Sequence, residues 1–278
     1  MKIDAHQHFW DYSAEEYEWI DDSLVALQRD FAPIDLEGCL AEAGIDAAIS
    51  VQARTSSEEN QSLLAHAKGR NSIAGVVGWV DLTARDAIDH VSAFAAQDKA
   101  VGLREVLQGK PERDFCLRDD FNRGLDSLQD FGLCYDILIY RDQLGFASEM
   151  VDRHPTQVFI LDHIAKPVIG TGGVDLEWKN GVESLARREN VACKVSGMVT
   201  ECSEDFEISA ESLRPWFDVV LNAFGPDRLL FGSDWPVCLA RSTYQHWVDL
   251  VSDWKADFSP DERAAIWGRN AARFYTIG

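Results

Sequence analysis

Short apolar runs rich in Val, Ile and Leu recur along the chain, separated by amphipathic stretches. Eight such runs read as strands: 3–9, 46–53, 73–82, 101–106, 134–139, 158–164, 192–198 and 229–234. Several, such as 158–161 and 229–231, are too continuously apolar for a sheet wetted on one face. They suit parallel strands covered on both faces. The stretches between them carry a helical period. Ser56 with Glu59 predicts a capping box ahead of Leu63, Leu64 and Ala67. Ile88, Val91 and Ala95 form the next stripe, then Phe121, Leu125 and Leu128, then Leu144, Ala147 and Val151, then Trp178, Val182 and Leu185. Leu213, Phe217, Val220 and Phe224 are spaced 4, 3 and 4, and Gly225-Pro226 ends their helix. Ser259, Pro260 and Glu262 supply an N-cap, a first-turn proline and a box partner before Ile266 and Phe274.

Strands alternating with helices in this number predict a (β/α)₈ TIM barrel, for which about 250 residues is usual. At 278 residues little is left over, so one domain spanning 1–278 is expected. An open doubly wound sheet is the other arrangement, but no strand leads into a GxGxxG turn, and Gly170, Gly172 and Gly173 have the wrong pattern. The long connection 10–45 departs from tight packing between strand and helix. It holds Trp10, Tyr12, Tyr17, Trp19 and Phe31, which suit a folded loop over the barrel mouth or aromatic packing around its rim.

Composition narrows the function. With 47 acidic and 26 basic residues the formal charge is -21, and the average surface repels a phosphate backbone. No nucleic-acid role is expected. The six cysteines are scattered with no CxxC pair, which suits buried thiols in a reducing compartment. The chain starts without the basic and apolar segments of a signal peptide, and no run approaches a membrane span. A soluble cytoplasmic protein is expected, with room for a homo-oligomer and no membrane partner.

Candidate chemistry sits where the apolar runs end, because barrel active sites gather at the carboxyl ends of the strands. In a strand, alternate side chains share a face, so His6 and His8 point the same way. Two imidazoles so placed suit a metal ion or a polarised carbonyl. The fourth run ends at Arg104, the sixth at Asp162-His163 and the eighth at Asp234. A closed barrel would gather His6, His8, His163 and Asp234 on one rim. Asp234 has a competing role as a turn cap after Ser233, but Trp235-Pro236 blocks an immediate helix. His163 has one as a core histidine bonded to Asp162. Arg104 needs a partner, either substrate or an acidic side chain. Lys166, before Pro167, suits a developing oxyanion or a loop cap, and Lys194 and Ser196 share a parity that can face the lumen. His66, His90, His154 and His246 are expected to be solvated or structural.

The runs 3–10, 51–53, 75–82, 102–108, 161–167, 193–200, 231–237 and 270–275 resemble, in order, the amidohydrolase superfamily. The HxH opening is common to that superfamily. The DHxxKP run at 162–167, the KxSG run at 194–197 and the GSDWP run at 232–236 together are narrower, and resemble its sugar-lactone and dicarboxylate-lactone hydrolases. The resemblance implies hydrolysis of an aldono-lactone, L-fucono-1,5-lactone or a close relative, with Asp234 activating water and His6, His8 and His163 around the carbonyl. It implies a substrate contact from Arg104, and Trp10, Lys166 and Gln52 are further candidates for substrate contact. Members differ in metal use, so the expectation is none or one divalent ion, zinc or manganese, held by His6, His8 and Asp234. Arg104 and Asp136 stand where two-metal relatives carry a bridging lysine or glutamate. The competing readings are a metal-dependent decarboxylase of an aromatic acid, another ester or lactone hydrolase of the superfamily, and a non-enzymatic sugar-acid binder.

Overall fold

The strands form in the order the hydrophobic pattern predicts, each followed by helical cover. In the computed structural model, which describes residues 1–254 and 258–278, they are β1 Ile3–Gln7, β2 Ala47–Val51, β3 Ile73–Gly78, β4 Ala100–Val106, β5 Cys134–Leu138, β6 Phe159–Leu161, β7 Val191–Val195 and β8 Leu229–Phe231. All pair in parallel in the sheet order β1 to β8. Closure comes from a Gln7–Trp235 bridge, with Asp234 N donating to His6 O (2.8 Å) and His8 N donating to Trp235 O (2.7 Å). The result is a single-domain (β/α)₈ barrel. Among the described residues no helix is long and apolar enough to cross a membrane.

The helices are α1 Pro33–Ala43, α2 Ser57–Ala67, α3 Ala87–Ala95, α4 Asp119–Leu125, α5 Leu144–Arg153, α6 Leu176–Leu185, α7 Ala210–Phe224, α8 Tyr244–Trp254, α9 Pro260–Ala264 and α10 Asn270–Phe274. α7 ends at Gly225, and Ser259 caps α9 in a box with Glu262, as the sequence predicts. Two local expectations fail. Ser56 caps α2 through Glu58 N, while Glu59 turns inward to accept from Ala53 N (2.5 Å) and Arg54 N (3.0 Å). The buried stripe of α3 is Ala87, Val91 and Phe94: Val91 is buried as expected, but its two companions each fall one residue earlier, so that Ile88 faces solvent.

Except for β4, the strands end earlier at their carboxyl ends than the apolar runs suggest. Residues that complete those runs, such as Gln52, His163, Ser196 and Asp234, leave the ladder to form the rim. Two packing layers follow from strand alternation. Outward side chains such as Leu103, Tyr135, Phe159 and Phe231 meet the helices. Ile3, Ala5, Ile49, Val51, Val77, Ile160 and Leu230 fill the lumen, which Tyr275 closes from below. A strict alternation from Ala5 would send His6 outward. A register slip in the β1–β2 pairing between Asp4 and Gln7 lets both His6 and His8 face inward above that plug.

Candidate active site

His6 and His8 converge as their shared face predicts, with their Nε2 atoms 3.1 Å apart. Asp234 Oδ1 lies 3.4 Å from His8 Nε2 and 3.8 Å from both His6 Nε2 and His163 Nε2. All four residues are buried. Asp234 adopts φ 57°, a left-handed conformation that aspartate tolerates, and this swings its carboxylate back over the barrel after β8. Burial would raise its pKa, but the imidazoles of His163, His8 and His6 outweigh that and hold the carboxyl well below the usual range. Burial pushes the imidazoles the other way. His6 lies well below the ordinary value, His8 is lowered, and His163 is brought down to about 4. The site at neutral pH is one carboxylate facing three neutral rings.

His163 reaches the rim through unusual backbone. His163, Ile164, Ala165 and Lys166 have φ of 50°, 49°, 60° and 47°, a single left-handed turn. Each such residue costs roughly 1–2 kcal/mol, and a β-branched residue there is a true outlier. The turn sets His163 and Lys166 three residues apart on one face, and both line the cavity. Strain of this kind at a rim is consistent with a functional constraint. Ala165→Gly tests it. That change costs about 1 kcal/mol in an ordinary right-handed helix. Here urea unfolding should show an unchanged or higher midpoint, because glycine relieves the left-handed penalty. A loss of stability would argue that the turn is unstrained.

β7 supplies the supports. Ser196 Oγ lies 2.9 Å from His163 Nδ1. Gly197 has φ 67°, and a Cβ there would stand 2.7–2.9 Å from the His163 side chain, so only glycine fits. Lys194, fully buried, bonds Asp136 at 2.5 Å and Asp162 at 2.9 Å, and reaches His6 Nδ1 at 3.1 Å. Tyr275 donates to Asp136 from the lumen floor at 2.8 Å. Arg104 finds its partner in Asp162, at 2.9 Å, and not in a surface acid. Its second nitrogen donates to the Gln52 carbonyl and, at 3.0 Å, to Gln52 Oε1.

Above this floor opens a cavity of about 400 Å³, lined by His8, Arg104, His163, Lys166 and Asp234 on the barrel side. Glu15, Glu16, Glu18 and Trp19 line it from the loop after β1. That loop does fold over the mouth. It is held by backbone pairing between Trp10 and Phe31 and by an Arg54–Glu16 ion pair at 2.7 Å, with Arg54 anchored in turn to Glu59 at 3.1 Å. Lys166 pairs with Glu201 at 3.1 Å; burial alone would lower its pKa, but Glu201 and Asp234 outweigh this and raise it.

Two residues expected at the substrate stand behind it. Trp10 is buried under the loop, its Nε1 donating to Arg29 O (2.9 Å), and Trp19 takes the place at the cavity. Gln52 is buried with its amide committed to Arg104, Oε1 accepting from the guanidinium and Nε2 donating to the Arg104 carbonyl. The sequence names Asp162 and Asp136 without a role at the site, and does not single out Tyr275, Arg54 or Glu201. Asp162 had a signal, a second polar residue ending an apolar run. Tyr275 had none, because its partner lies 139 residues away.

The donor set fits one divalent ion. Ligand atoms of His6, His163 and Asp234 all lie within 4.8 Å of one another, with His8 Nε2 beside them. Neutral imidazoles and an ionised carboxylate are what zinc or manganese takes. This trio holds His163 with the His6 and Asp234 expected from sequence, while the expected His8 stands beside it.

Residues 3–277 match the amidohydrolase family model. An L-fucono-1,5-lactonase from Burkholderia multivorans is 38% identical, covering 100% of this chain and 96% of the relative. A second L-fucono-1,5-lactonase, from Burkholderia ambifaria, is 34% identical over the same shares of each chain. A crystal structure of an amidohydrolase from Burkholderia multivorans with bound zinc superposes with a TM-score of 0.95 at 38% identity, covering 100% of both chains.

Proposed function

The chain belongs to the amidohydrolase family, and from that premise we propose that it hydrolyses a sugar-derived aldono-lactone, L-fucono-1,5-lactone or a close relative, to the aldonic acid. The observation that carries this reading is the Asp234 carboxylate facing three imidazole nitrogens at 3.4–3.8 Å on the floor of a cavity. Asp234, held ionised, takes a proton from water as the oxygen bonds to the lactone carbonyl carbon. The carbonyl π-pair moves onto oxygen. His163 at the cavity floor and the Lys166 cation one turn along are the groups placed to stabilise that charge. Arg104 orients the ring oxygens or hydroxyls from the β4 side. When the tetrahedral species collapses, the bond to the ring oxygen breaks and that oxygen receives the proton.

His6, His8, His163 and Asp234 would hold one divalent ion, zinc or manganese, which when bound polarises the carbonyl and lowers the pKa of water. Elemental analysis of protein purified without chelator is expected to find at most one ion per chain. Two tightly held ions, both needed for turnover, would refute a single seat.

Hydroxyl-rich substrates suit the mouth. Glu15, Glu16 and Glu18 can accept hydrogen bonds from sugar hydroxyls, and Trp19 offers a flat apolar face. A pH-indicator assay across aldono-1,4- and 1,5-lactones, with aromatic carboxylic acids as controls, tests the reading. Acid release from a sugar lactone far above its spontaneous opening is the expected result. No lactone opening, with carbon dioxide released from an aromatic acid, would replace it with decarboxylation.

A further inference from the structure

His6, His8 and His163 each present Nε2 to the cluster, so the partner at Nδ1 decides which ring nitrogen carries the proton. His8 is fixed. Its Nδ1 lies 2.7 Å from the Val51 carbonyl, which only accepts, so Nδ1 holds the hydrogen and Nε2 keeps its lone pair. His6 is different. Its Nδ1 faces a donor, Lys194 Nζ at 3.1 Å, and an acceptor, Asp162 Oδ1 at 3.3 Å, both fully buried. His163 Nδ1 faces the Ser196 hydroxyl, which can donate or accept.

The His6–His8 contact makes that choice matter. Two Nε2 lone pairs at 3.1 Å repel unless a cation sits against both, whereas one proton between them makes a hydrogen bond. Without an ion, Lys194 donating to Nδ1 places the His6 hydrogen on Nε2, toward His8, even though the Arg104 guanidinium also approaches that Nε2 at 3.3 Å. With an ion on Nε2, His6 must carry the hydrogen on Nδ1 and donate to Asp162. Lys194 keeps its bonds to Asp136 and Asp162 in either case.

We propose that Asp162, Lys194 and Ser196 are positioning residues that form a two-way seat for His6 and His163, so that one rim geometry is kept with and without a divalent ion. The exchange breaks one N–H bond at Nε2 and forms one at Nδ1, and each ring stays neutral throughout. The buried pair under His6 thus has a use beyond neutralising itself. It accounts for the KxSG run, whose Lys194 serves His6, Ser196 serves His163, and Gly197 leaves space for the His163 ring.

This deepens the proposed reading of the same site, but its test reads ring nitrogens and bound zinc, so it can fail while lactone hydrolysis stands. Selective ¹⁵N-histidine labelling with long-range ¹H–¹⁵N spectra reports the tautomer of each ring in the unaltered protein. Without divalent ions His6 is expected protonated at Nε2; one equivalent of zinc should move it to Nδ1–H, with His8 at Nδ1–H in both. An unchanged His6 tautomer, or no zinc binding, overturns the proposal. In Asp162→Asn one amide oxygen must serve Arg104, Lys194 and His6, so zinc affinity by chelator competition is expected to fall about 10–100-fold. Ser196→Ala, which removes no charge, should weaken zinc in the same direction. Wild-type zinc affinity in both folded variants would also overturn it.

Discussion

Asp234→Asn is expected to leave the barrel folded and to lower lactone turnover at least ~100-fold, the lower end for a positioned general base. The amide keeps the shape of the carboxylate but cannot take a proton from water. Folding should survive because the backbone at 234 is held independently of the side chain, by its N–H to His6 O at 2.8 Å. Asparagine also tolerates the left-handed conformation that this position requires. The loss should appear in kcat, with KM changed little, since the carboxylate acts on water and not on a ground-state contact. Near-normal hydrolysis by the folded variant would remove Asp234 from the base role. The same substitution should also weaken zinc, because it takes away the anionic ligand of the set.

Lys194→Met should destabilise the protein by about 3–5 kcal/mol, the range for breaking a buried ion pair from one side. Lys194 is fully buried and stands between Asp136 at 2.5 Å and Asp162 at 2.9 Å. Without it, two buried carboxylates remain, with Arg104 and the His6 ring beside Asp162 and the Tyr275 hydroxyl on Asp136, and the Lys194 charge gone. A domain is usually stable by only 5–15 kcal/mol, so this is a large share. Urea unfolding measures it. Adding Asp136→Asn should recover part of the loss, because the neutral amide no longer needs a cation. Equal destabilisation in the single and double variants would mean that lost packing, and not stranded charge, sets the cost.

The sequence by itself determined the barrel. Strand alternation and the helical stripes are local periodicities, set by which side chains must leave water, and they appear whatever the rest of the chain does. They yielded all eight strands and the ends of α7 and α9. They also put His6, His8, His163 and Asp234 at the ends of runs, which a closed sheet necessarily brings to one rim.

The tertiary structure decided what each of those residues touches. A one-residue slip in β1 turned His6 inward, and alternation alone cannot announce a slip. The left-handed turn at 163–166 contradicts local propensity and is maintained only by its surroundings. Arg104 was even-handed between substrate and acid until Asp162, 58 residues away, arrived beside it. Trp10 and Gln52 had the right chemistry for a substrate contact, but the loop over Trp10 and the guanidinium beside Gln52 claimed them first. Hydrogen-bonding partners are chosen by distances between remote strands, and those distances exist only once the barrel has closed.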